Sequence, residues 1–153
     1  MSIKEDAQRI HANLLEKTDP EALERINHFA FDEVQAAVDL PDRTKMLSTL
    51  AYLLGMQGID EYKVMLPVAL DNGVSPVEAK EVLYQAVDYL GLGRVFPFFK
   101  ATNDILTARG VDLPLPGQST TTMKNRLEKG EETQIRLFGP QMKDFAKKGT
   151  INK

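Results

Sequence analysis

The chain has 153 residues, 42% hydrophobic and 27% charged, with a formal net charge of −3; this is the makeup of one soluble domain that buries about two-thirds of its unfolded surface. Zero cysteines exclude disulfides, thiolate metal sites and thiol redox or nucleophilic chemistry together. No apolar run approaches the roughly 20 residues of a membrane helix, and the acidic start MSIKEDAQRIHANLL has no signal-peptide core, so a cytoplasmic protein with no membrane partner is expected.

Hydrophobic periodicity predicts helix after helix. Residues 4–17 set Ile10, Leu14 and Leu15 on one side and stop near Thr18-Asp19-Pro20. Residues 20–39 follow, with Leu23, Ile26, Phe29, Val34, Ala37 and Val38 as the apolar stripe, until Asp39-Leu40-Pro41 breaks the run. Asp42 can cap a helix over 43–57, where Met46, Leu47, Leu50, Ala51, Leu53 and Leu54 are apolar on most sides. That width predicts the central, most buried helix. Asp60 can cap 61–72, in which Pro67 predicts a kink.

The most informative stretch comes next, ALDNGVSPVEAKEVLYQAVDYLGL, residues 69–92. Gly73 can take the left-handed conformation that closes one helix. Ser75, Pro76 and Glu78 supply an N-cap, a first helical residue and a capping box for the next. Val77, Val82, Leu83, Ala86, Val87 and Leu90 recur at helical spacing up to Gly91. The hinge is expected to locate a pocket between its two helices. A sixth helix is predicted from about Phe96-Pro97 to Arg109, its Phe96, Phe98 and Phe99 forming core or subunit contact.

VDLPLPGQSTTT, residues 111–122, is a boundary, dividing a helical domain, 1–112, from a linker and tail, 113–153. In the tail a helix is predicted over 122–137, then a break at Phe138-Gly139-Pro140 and a short helix to about Lys148. No alternating strand pattern, long repeat or low-complexity tract interrupts the series. The fold class is all-α, a compact helical bundle of six to eight helices. Charge is uneven: residues 1–123 carry 11 basic against 18 acidic side chains, and residues 124–153 carry 8 against 4. With only Phe138 and Phe145 as aromatics, the basic tail suits the acidic body of its own or a neighbouring subunit, and no nucleic-acid partner is expected.

The ordered set Arg43, Glu61, Ala69-Leu70, Asn72-Gly73-Val74, Glu78, Leu83, Tyr89 and Gly91 resembles the carboxymuconolactone decarboxylase family, which shares the alkylhydroperoxidase D-like fold. The resemblance covers about 40–110. It implies an all-helical protomer that forms a homo-oligomer, a trimer or hexamer, with a small-molecule ligand at a helix or subunit interface and no cofactor. The segment LEKGEETQIRLFGPQM, 127–142, looks like a helix that in this family precedes a decarboxylase-like domain. Here it follows one, as the lead-in to a missing second domain or as a swapped arm.

The redox branch of the family uses a Glu, a Cys-x-x-Cys and a His. Aligned on the hinge, those cysteines fall on Gly58 and Glu61, the His on Met65 and the Glu near Met46; without a thiolate, peroxidase chemistry is excluded. The decarboxylase branch resembles Glu-Leu-x-x-His, and this chain reads Glu61-Tyr62-Lys63-Val64-Met65, keeping the acid and losing the imidazole. The implied activity is that of a lyase or isomerase on a small carboxylated or lactone compound, or else a non-catalytic ligand-binding or structural module.

Glu61 is the candidate proton-transfer residue; its alternative is an exposed acid favoured by the helix dipole. Arg94 either holds a substrate carboxylate or pairs with Asp88 or Asp71. Tyr84 and Tyr89 offer hydroxyls to the pocket or simply pack, and Met46, Met56 and Met65 line it or fill a plain core. His11 and His28 lack metal-ligand spacing and read as core-edge or partly exposed residues, so no metal is expected. Gly91-x-Gly93 follows no strand and is no dinucleotide motif.

Overall fold

In the computed structural model, residues 3–143 are described, and among them there is no strand. The chain divides into two units, Met1–Leu115 and Pro116–Lys153. In the first, α1 (Ile3–Leu15) leads into α2 (Pro20–Asn27), which winds on without a break through a π-helical stretch, His28–Val34, into a last turn, α3 (Gln35–Ala37). Then come α4 (Asp42–Gly55), α5 (Ile59–Asp71), α6 (Pro76–Leu90) and α7 (Leu92–Ala108).

The core lies where α4, α5, α6 and α7 pack on one another. Leu50 and Leu54 of α4, Leu66 and Val68 of α5, Leu83 of α6 and Val95 and Phe98 of α7 are all buried there, each worth about 1.5–3 kcal/mol of transfer free energy. Tyr62 enters the same core because its hydroxyl finds Thr102 Oγ1 at 2.9 Å and its ring meets Phe98 edge-on at 5.0 Å. Burial of the phenol pushes its pKa up to about 12, against the smaller opposing effect of the Thr102 hydrogen bond.

The hinge forms as its residues require. Gly73 sits at φ 93°, and the amide of Val74 reaches back to Ala69 O at 3.0 Å, the 6→1 bond of a Schellman closure. Ser75 Oγ accepts from the Glu78 amide at 3.2 Å while Glu78 Oε2 accepts from the Ser75 amide at 2.9 Å, completing the capping box. Glu78 also pairs with Arg43 of α4, tying the starts of α4 and α6 together.

One expectation needs correction. α7 starts at Leu92 rather than near Pro97, because Gly91 at φ 80° ends α6 and caps α7 in one residue; Pro97, just past the first turn, forfeits only the bond to Gly93 O. α5 is one uninterrupted element through Pro67. The aromatic cluster divides: Phe98 is buried, Phe99 packs against Tyr84 at 5.7 Å, and Phe96 is exposed.

The second unit holds α8 (Arg126–Phe138), closed by Gly139 at φ 99°, with no buried residue. The helix expected to reach Lys148 lies mostly outside the described residues. No helix of the described residues is long and apolar enough to cross a membrane.

Candidate functional site

α2 and its π-helical continuation meet the α4–α7 core mainly through α1, which packs on both α2 and α5. Between this arm and the faces of α4 and α5 lies a cleft of about 590 Å³. The arm is fastened at two points: Lys4 of α1 pairs with Asp32 of the π-helical stretch, and Lys45 Nζ of α4 donates to Gln35 O at 3.3 Å. The Lys4 hydrogen bond holds the Asp32 carboxyl below its usual range.

α1 is seated by Ile3 and Ala7, both buried in the main core. His11 continues that i, i+4, i+8 stripe, so the residue after two buried positions is directed inward. Its Nε2 lies 2.8 Å from Oε1 and 3.0 Å from Oε2 of Glu61 on α5. An ionised carboxylate only accepts, so Nε2 carries the proton in that state. Nδ1 is buried without a partner in the described structure. The His11 side chain is 12% exposed and that of Glu61 43%. The acid is thus wet on one side and held by a nearly enclosed imidazole on the other.

Both groups line the cleft with Met46 and Met65, which are buried in its floor. Lys45, Gln35, Ser48 and Thr49 give it a polar edge, and the arm gives it an apolar wall that includes Phe29, Phe31 and Val34. These three belong to the π-helical stretch. Wider helical turns of this kind recur at functional sites.

The sequence-based candidates fall in two groups. Glu61 and Met65 share the cleft; Arg94, Tyr84 and Tyr89 do not line it. Tyr84 lies on Phe99 beneath Lys80, whose ammonium is 5.7 Å and 5.6 Å from the two ring centroids. Tyr89 is 88% exposed, and Arg94 is exposed at the start of α7. Asp71, one of the acids expected to pair with Arg94, is engaged by Arg109 instead. Met56 is exposed outside the cleft. The cleft is also not between the hinge helices: it takes Glu61 and Met65 from α5 and no residue of α6, and α5 and α6 each pack on α4 and α7 rather than chiefly on one another.

Of the α1 stripe, Ile10 packs against the core and Leu15 is half-buried, while Leu14 is exposed and Ile3, Ala7 and His11 also face inward. Of the apolar stripe of 20–39, Leu23 is buried, whereas Ile26, Phe29, Val34 and Val38 are partly exposed and line the cleft. His28 does lie at the surface, 3.0 Å from Glu33. Among the described residues no group of three or more His, Asp or Glu side chains could hold a metal ion.

Residues 20–104, a little over half of the chain, match the profile of the Carboxymuconolactone decarboxylase family. The chain belongs to that family. A 4-carboxymuconolactone decarboxylase of Acinetobacter baylyi is 37% identical over 67 residues, which are 44% of this chain and 50% of that protein. The chain therefore matches about half the length of this family relative. His11 lies outside the family-matched segment. An imidazole meets the Glu61 carboxylate all the same, brought by α1 rather than by position 65, where the chain has Met.

Proposed function

We propose that the chain is a lyase or isomerase on a carboxylated, unsaturated or lactone-type compound, with the Glu61–His11 pair as its proton-transfer device. Family membership and the similarity to a protein named for decarboxylation of a carboxymuconolactone support the reaction class. The observation that carries the reading is the imidazole held on both oxygens of Glu61 inside a largely apolar cleft.

In a decarboxylation the carbon–carboxylate bond breaks, carbon dioxide leaves, and its electron pair passes into the unsaturated carbonyl system as an enolate. The negative charge moves from carboxylate to carbonyl oxygen. Lys45 stands on the cleft wall, its side chain 18% exposed, and an ammonium there stabilises charge at either end of that path. Protonated Glu61 then delivers a proton to carbon, and His11, donating from Nε2, steadies the carboxylate that results. Water at the exposed edge of Glu61 restores the proton.

The test is Glu61→Gln, assayed on 4-carboxymuconolactone and related carboxylated lactones. A fall in kcat of about 10²–10⁴-fold with unchanged circular dichroism supports the reading. Turnover equal to that of the parent protein removes Glu61 from the reaction. We also propose self-association as a homo-oligomer, consistent with exposed Tyr89, Leu92 and Phe96 around the α6–α7 junction; light scattering decides it.

A further inference from the structure

The Glu61 cleft is poorly matched to a compact, multiply charged lactone. At about 590 Å³ it holds on the order of 20 water-sized groups, at ~30 Å³ each. Its lining offers few charges: Lys45 and Glu61, with His11 bound to the latter. A ligand with two or more carboxylates would find a single lysine in the lining to pair with, beside neutral amide and hydroxyl groups. The far wall, by contrast, is long and apolar. Ile26, Phe29, Val34, Val38, Leu40 and Tyr52 all line the cleft, and each is between 37% and 62% exposed.

From this charge count and wall we propose that the site takes an amphipathic monocarboxylate: one carboxylate on Lys45, the reacting carbons beside Glu61–His11, and an apolar arm along the α2 and π-helical wall. The inference rests on the proposed function for the reacting end and adds the substrate class. Lys45 already reaches toward two acceptors, Gln35 O at 3.3 Å and Asp42 Oδ1 at 3.8 Å. Neither is a close ion pair, so the ammonium has capacity for a third.

The test is binding, so it does not depend on turnover. Straight-chain carboxylates from butanoate to dodecanoate, and the alcohols of the same lengths, are titrated calorimetrically into the full chain. Affinity is expected to rise about four-fold per added methylene, and each carboxylate to bind at least ten-fold tighter than its alcohol. Lys45→Met should erase the difference between acid and alcohol while alcohol binding persists. Val34→Asp should flatten the chain-length dependence, and Tyr89→Asp, outside the cleft, should leave it unchanged.

A flat chain-length series overturns the proposal, as does equal binding of acid and alcohol by the parent protein. Absence of all binding, with the wall covered by a second copy of the chain, overturns it too. The parent protein keeps the two readings apart: chain-length-dependent binding without any lyase activity removes only the proposed reaction. Turnover of compact lactones with a flat series removes only the amphipathic ligand.

Discussion

At the scale of single residues, His11 and Glu61 divide one task. Glu61 meets water on one side, and His11 Nε2 spans both of its oxygens at 2.8 Å and 3.0 Å. If His11 positions and stabilises that carboxylate, His11→Gln should lower kcat about ten-fold or more while KM changes little, and should alter the pH profile of kcat. A change confined to KM would show a binding role instead. A quite different residue, Tyr62, governs alkaline stability. Its folded pKa is about 12 against a reference of 10.0. Folding therefore retains the phenolic proton that the unfolded chain releases above pH 10. The stabilisation is intact below pH 10 and is lost as pH rises through 12, about 3 kcal/mol in all. Urea denaturation at successive pH values should show this loss, and Tyr62→Phe should remove the slope. The same variant leaves buried Thr102 without its partner and should cost about 1–3 kcal/mol at neutral pH.

At the scale of elements, the hinge between α5 and α6 is a stability device. The capping box of Ser75 and Glu78 satisfies amide donors that α6 would otherwise leave open. Ser75→Ala is expected to cost about 1 kcal/mol. Gly73→Ala, at φ 93° with only an ordinary van der Waals contact to Arg43 Cβ at 3.8 Å for the added Cβ, should cost a similar ~1 kcal/mol from backbone strain. Both follow from chemical denaturation midpoints at constant m-value. Neither variant should alter the cleft, whose lining includes no residue of α6. The element that shapes the cleft is the π-helical stretch, His28–Val34. Its wide turns were illegible beforehand, since a period of Phe29, Val34 and Val38 fits an ordinary amphipathic helix equally well.

At the scale of the whole molecule, the buried residues described all lie at or before Leu106, within the first unit. A chain ending at Leu115 should therefore keep its helical circular dichroism and a single cooperative thermal transition. Loss of that transition would show that the second unit supplies part of the stability.

Local chemistry determined much of this protein in advance. Ser75-Pro76-x-Glu78 delimits a helix because cap and backbone are neighbours in the chain, and the absence of cysteine settles thiol chemistry without coordinates. The family pattern around the hinge was equally visible, because it is written in contiguous residues. The partner of Glu61 was not. His11 is 50 residues away, and only the seating of Ile3 and Ala7 in the core turns its ring toward α5. Tertiary structure also decided that Arg94, Tyr84 and Tyr89 stay outside the cleft. Periodicity says which residues share a face of one helix; what that face meets depends on packing between segments far apart in the chain.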